Sequence, residues 1–287
     1  MSDARTRTTV NTATAANASE SAPPQEVPRH DPLGPLALLR KSSQGRSLTY
    51  AEYMAFRHLG YLRVPYLIPS HYVRRMRSVV EHAIDAAVSP VVTRPDGQVR
   101  RISSVLERDP VFLEVLALNV VARPLKSLLG PNVELLLSRH NHATRNCPGD
   151  FTYALHRDTL QWSRDYITVL IYLEDATTER GATHVVPGSH LLPFAGTPDM
   201  PVRGQVSTWA TAHAEYDHVR RQALPVPMPA GGILLIDSLL FHSVGINETP
   251  ASRLSLTFAV HSVDENRDTV RGAHHLLYGE RDGRTTP

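Results

Sequence analysis

The chain has 287 residues, 41% hydrophobic and 20% charged, which is enough apolar side chain for a sizeable core and, at a net charge of +2, excludes global disorder. Its 30 basic residues are scattered rather than clustered, which argues against nucleic acid as a partner. A single cysteine, Cys147, excludes an internal disulfide framework, and no apolar run approaches the roughly 18 residues of a membrane span, so a cytoplasmic protein without a membrane partner is expected.

Residues 1–29 are rich in Ala, Thr, Ser, Asn and Pro and hold almost nothing large and apolar, which predicts a disordered tail before one domain over residues 30–287. No apolar h-region follows Arg5 and Arg7, so neither a secretory signal nor a transit peptide is expected. Thr49 stands where a helix cap belongs, Tyr53, Met54, Phe56 and Leu59 follow it, and Gly60 suits a left-handed C-terminal cap. Tyr61 to Val64 reads as a short strand. Ser70 opens a second helix in which Val73, Met76, Val80 and Ile84 recur at helical spacing. A third helical region covers Val111 to Leu129, broken near Pro124, so the helical part spans about residues 49–130.

From Val133 the period changes to two. Val133 to His142, Phe151 to Asp158, Asp165 to Glu174, Ala182 to Val186, Gly232 to Ile236 and Arg253 to Ser262 are strand candidates between Gly, Pro, Asn and Asp signals. Helices first and many short strands afterwards predict an α+β fold with a closed or double-sheet core over about residues 133–262. Residues 191–229 carry repeated prolines and mixed charges, and a stretch that long and irregular predicts a lid or binding loop.

His156 and Asp158 stand as H-x-D at a strand end, where a side-chain period of two points both at one ion. His242 follows the apolar run Gly231 to Ile236. Two imidazoles and one carboxylate match the facial triad of a non-haem Fe(II) oxygenase, which leaves coordination positions free for cosubstrate and oxygen. A structural zinc site would fill its positions, usually with more cysteine than this chain has. Eleven positions after His242, Arg253 starts a strand whose polar side chains share one face. A guanidinium there can pair bidentately with a carboxylate, and Ser255 can add a hydrogen bond. A dicarboxylate cosubstrate fits that arrangement.

Tyr153 to Asp158, Leu173-Glu174-Asp175-Ala176, Gly181, Val185-Val186-Pro187-Gly188-Ser189-His190, and His242 to Asn247 with Arg253 together resemble the phytanoyl-CoA dioxygenase family of Fe(II)/2-oxoglutarate oxygenases. The resemblance extends over about residues 49–262. It implies a double-stranded β-helix, a jelly-roll or cupin-like core with N-terminal helices packed on it. It also implies Fe(II), 2-oxoglutarate and O2 as cofactors, with 2-oxoglutarate leaving as succinate and CO2. By motif, His156, Asp158 and His242 become the iron ligands, Arg253 the cosubstrate anchor and Ser255 its neighbour. Halogenating members replace the carboxylate with a small residue, and Asp158 stands in its place here.

Periodicity extends the candidate site. Thr168 and Tyr172 share a face with Leu170, while Ile167, Val169, Ile171 and Leu173 face the core. Thr168 and Arg139 are placed beside the cosubstrate, as is Trp162, which lies just after the ligand pair where related hydroxylases often carry an aromatic, and Tyr172, Asn141 and Trp209 are placed beside the substrate. Each has a plainer reading as a packed or solvated residue. His140 and His142 form an H-x-H that cupin metal sites also use, His190 belongs to a turn and suits backbone bonding, and His274-His275 lie in a tail of low order. Cys147 has no basic partner close in sequence and reads as inert.

The leading expectation is an oxygenase acting on a small molecule as a monomer or homodimer. A non-redox cupin-like isomerase or hydrolase is the rival, and for it Arg253 has no oxoglutarate to hold. The predicted lid holds Trp209, His213, Glu215, Tyr216 and Arg220, a mixture suited to a polar ligand. By family analogy that ligand is a natural-product intermediate.

Overall fold

A reciprocal cap starts the first helix of the computed structural model, which describes residues 44–138, 140–149, 155–158, 166–192, 217–264 and 273–281. The Glu52 N–H donates to the Thr49 hydroxyl and the Thr49 N–H donates to the Glu52 carboxylate, while Gly60 at φ 79° ends α1 (Tyr50–Leu59). Tyr61–Arg63 follows as β1. In α2 (Ser70–Asp85) Val73, Met76, Val80, Ala83 and Ile84 are buried on one face, as their spacing predicts.

The third helical region departs from expectation. It divides into α3 (Val111–Leu116) and α4 (Asn119–Leu129), and Pro124 lies inside α4 rather than at the break. Leu118 is extended there, which lets Val120, Val121 and Leu125 reach the core, and their burial outweighs the hydrogen bond that the proline removes. A hairpin also interrupts the region expected to be helical. Val91–Thr93 (β2) and Val99–Ser103 (β3) turn back on each other through Pro95-Asp96-Gly97, where Asp96 accepts the Gln98 N–H. Most residues of this hairpin are exposed, so no apolar alternation marked it.

The remaining strands are Val133–Leu136 (β4), His142–Asn146 (β5), Ile167–Tyr172 (β6), Thr183–Val185 (β7), Leu224–Val226 (β8), Ile233–Asp237 (β9), His242–Val244 (β10), Arg253–Ser262 (β11) and His274–Tyr278 (β12). Nine strands form one antiparallel sheet along β1-β9-β6-β11-β5-β3-β2, with β4 joined to β11 and β12 to β4. The other sheet runs β10-β7-β8. The predicted strand from Val133 to His142 is one course along the edge of β11, interrupted by a bulge at residues 137–141. Residues 217–229, placed by sequence in the lid, instead supply a short helix, α5 (Asp217–Arg220), and β8, which pairs with β7. The rest of that stretch, 193–216, lies outside the described residues.

Alternation along β6 and β11 separates two interiors. Ile167, Val169, Ile171, Leu254, Leu256, Phe258 and Val260 pack against the helices, together with Phe56, Met76 and Leu116. Tyr172, Leu234 and Ile236 face the small sheet and meet Val185, Val226 and Met228. Two antiparallel sheets face to face, with helices on the outer side of the larger one, make the expected double-stranded β-helix. No helix among the described residues is long and apolar enough to cross a membrane.

Candidate metal centre

His156 and His242 meet because their backbones form an antiparallel bridge, with His156 N donating to His242 O (3.0 Å) and His242 N to His156 O (2.9 Å). Their rings lie 4.5 Å apart between centroids. Two residues on, Asp158 N donates to Ser238 O, which aims the carboxylate back between the rings. Asp158 Oδ1 lies 3.8 Å from His156 Nε2 and 3.7 Å from His242 Nε2. One ligand atom from each residue falls within 4.8 Å of the other two, a spacing that one metal ion can bridge. His242 Nδ1 faces the Leu240 carbonyl at 2.9 Å. The proton therefore sits on Nδ1 and the Nε2 lone pair is left for a metal.

The carboxylate is oriented from its other side. Thr168 donates to Asp158 Oδ2 at 2.6 Å, so Thr168, expected beside the cosubstrate, touches the carboxylate. Burial alone would raise the Asp158 carboxyl, but His140, His242 and His156 around it hold it well below the usual carboxylate range. Thr168→Val keeps the shape and removes the donor. Metal affinity is expected to fall about 10- to 100-fold with the melting temperature little changed, as read by iron titration and thermal denaturation.

The motif Val186-Pro187-Gly188-Ser189-His190 is a clamp on the β10 side. Gly188 adopts φ 76°, and the buried Ser189 hydroxyl accepts the Phe241 N–H at 2.9 Å, one residue before His242. Arg157, between the two ligand positions, donates to Ser189 O and stacks over the Phe241 ring. His190 accepts no ligand role here: its Nε2 faces Arg57 O, as its turn position predicts.

Arg253 opens β11 on the inner face, only 2% exposed. Its guanidinium lies over the Tyr172 ring and donates to Gly181 O, while Nε is buried with no hydrogen-bond partner. Among the described residues no carboxylate lies within ion-pair distance of it. A buried guanidinium with an orphaned N–H calls for an anion, and the free carboxylate of a dicarboxylic acid supplies one. Ser255 shares this face, opposite Tyr172 in the β6 register. Tyr172, expected at the substrate, is instead fully buried beneath Arg253 with its hydroxyl 2.7 Å from Thr183. Asn141, also expected at the substrate, lines the cavity beside Asp158 while its amide is engaged in the protein. Its amide accepts the Leu106 N–H and donates to Glu107, holding the 105–107 turn. Arg139, Trp162 and Trp209 lie outside the described residues.

Sequence reasoning underrated His140. The bulge gives it φ 48° and brings its Nε2 within 3.2 Å of Asp158 Oδ1. The H-x-H spacing was the available signal, but a left-handed histidine at a bulge depends on the pairing of β4 and β5 with β11. A cavity of about 430 Å³ opens here, lined by Arg101, Ser104, His140, His142, His156 and Asp158. Burial lowers His142 to about 3, with help from His140 and Arg101, so it is neutral at physiological pH.

Two sheets enclosing a two-histidine, one-carboxylate centre, with a buried arginine on the same inner face, define an oxygenase-type β-helix. The model of the phytanoyl-CoA dioxygenase family matches residues 56–255, and the chain belongs to that family. The uncharacterized protein Rv1501 of Mycobacterium tuberculosis is 27% identical over 143 residues, 48% of this chain and 46% of its own length, so the chain matches about half of that curated relative. EctD from S. alaskensis with bound Fe superposes at TM-score 0.62 with 22% identity, over 83% of each chain. The epimerase SnoN, in complex with Fe3+, alpha ketoglutarate and nogalamycin RO, superposes at 0.61 with 20% identity, over 80% of this chain and 95% of its own.

Proposed function

We propose that this chain is an Fe(II)/2-oxoglutarate-dependent oxygenase that oxidises a small polar metabolite, an intermediate of natural-product biosynthesis. The observation that carries the reading is Arg253, a buried cation with no carboxylate partner among the described residues, on the inner sheet face that also presents Thr168 to the triad. A non-redox metalloenzyme on this barrel has no use for it. Family membership supports the cofactors, and the SnoN complex supports a natural-product substrate by analogy.

His156 Nε2, His242 Nε2 and Asp158 Oδ1 would hold the metal, and Thr168 fixes the carboxylate rotamer. Arg253 would bind the far carboxylate of 2-oxoglutarate, with Ser255 beside it. Bound iron with 2-oxoglutarate and O2 supplies an oxidant able to break a substrate C–H bond, as 2-oxoglutarate becomes succinate and CO2. His140 and the neutral His142 offer hydrogen bonds to a substrate entering by the cavity, and Arg101 offers a charge. Succinate formation that requires both added Fe(II) and O2 tests the proposal. Its absence, together with no thermal stabilisation of the iron-loaded protein by 2-oxoglutarate, would overturn it.

A further inference from the structure

A second cluster of ligand-type side chains, Glu134, His261 and His274, lies on the same inner face, and two of its three members, His261 and His274, fall past the end of the family match. Glu134 on β4 stands directly opposite His261 on β11, and His274 on β12 stands opposite Leu136, one side-chain repeat along the same face. Ala259, two residues before His261, pairs with Thr168 and joins Leu136 and Tyr166 in an apolar patch on the side toward Asp158. The two clusters are thus distinct.

Three donor atoms converge. His274 Nδ1 lies 3.1 Å from Glu134 Oε2, His261 Nε2 lies 3.2 Å from His274 Nδ1, and His261 Nε2 lies 3.7 Å from Glu134 Oε2. Protons alone serve this triangle poorly. A single N–H on His274 Nδ1 can satisfy the carboxylate, but it then points no hydrogen at His261 Nε2, whose distance to the carboxylate is beyond hydrogen-bond reach. His261 is only 3% exposed. A tetrahedral ion with bonds of about 2.0–2.1 Å needs ligand atoms about 3.3–3.4 Å apart, and the three separations bracket that value.

We propose that Glu134, His261 and His274 form a second metal site, for a divalent ion of the zinc type, that clips the C-terminal strand β12 to β4 and β11. Two imidazoles and a carboxylate are a zinc donor set, and one tetrahedral position remains for water. Arg281 donates to Glu134 Oε1 at 2.7 Å and so turns Oε2 toward the imidazoles, the part an outer-shell group plays at a metal centre. Arg281 also offsets the one negative charge of the site, so the ion binds less tightly than at a fully anionic one.

The test is zinc titrated into the full chain carrying His156→Ala and His242→Ala, which removes the first site. One zinc per chain is expected, with a rise in Tm of about 5–10 °C at zinc about a hundredfold above Kd. Cobalt in its place should show the visible absorption of tetrahedral coordination. Adding His261→Ala and His274→Ala should abolish both effects. Glu134→Gln, which keeps the side-chain shape, should weaken zinc at least about tenfold. No zinc bound to the parent variant, or zinc bound equally well after Glu134→Gln, would overturn the site.

Discussion

Asp158→Ala is expected to reduce succinate formation and substrate oxidation at least a hundredfold, about 2.7 kcal/mol in barrier terms, at equal iron loading. The carboxylate supplies the one negative charge among the three candidate ligand atoms, and its side chain is 3% exposed. Its two oxygens have separate tasks: Oδ1 faces both imidazoles, and Oδ2 is held by Thr168. Alanine removes charge and geometry together, leaving His156 and His242 to bind iron weakly. Iron affinity should therefore fall by more than the roughly 100-fold that loss of an outer-shell partner costs. A purely structural Asp158 would give a different pattern, a lower Tm with iron affinity unchanged. Retention of more than about a tenth of the wild-type rate, a loss under about 1.4 kcal/mol, would sink the ligand assignment.

Arg253→Leu should raise the apparent KM for 2-oxoglutarate by roughly 30- to 700-fold, the equivalent of about 2–4 kcal/mol for a desolvated charge pair, with iron binding unchanged. Without cosubstrate the sign differs. The wild-type guanidinium is a buried charge whose Nε has no partner, so an apolar replacement removes a desolvation cost as well as the bond to Gly181. The Tm of the cosubstrate-free variant is expected close to that of wild type. The stabilisation that 2-oxoglutarate gives wild type, about 2.7 kcal/mol at a hundred times Kd, should vanish. A thermal shift that survives the substitution would show that the anion binds elsewhere.

Much of this protein is written in short-range pattern. The Thr49-Glu52 box and Gly60 delimit α1 because each satisfies or relieves backbone groups within one turn. Strand β11 runs from Arg253 to Ser262, as its alternation predicts, and β6 sorts Thr168 and Tyr172 from Ile167, Val169 and Ile171 because the pleat has a fixed period of two. Family motifs likewise pick out His156, Asp158 and His242, whose ligand-type atoms the fold brings within 4.8 Å of one another, since each motif is contiguous in the chain.

What stands opposite what was not readable in this way. The hairpin at 91–103 buries only Val99 and Ile102 of its strand residues, and β3 is held by pairing with β5, about forty residues away. His140 reaches Asp158 because β4 and β5 both follow β11 and the residues between them bulge out of the ladder. Asn141 is turned by the same bulge toward Leu106. His274, which reads as part of a loose tail, is drawn into β12 and set beside His261 and Glu134 by register with β4. Periodicity tells which face a side chain takes, because that depends on its own backbone. Its neighbour across the sheet depends on a register chosen by the whole core, and that choice belongs to the tertiary structure.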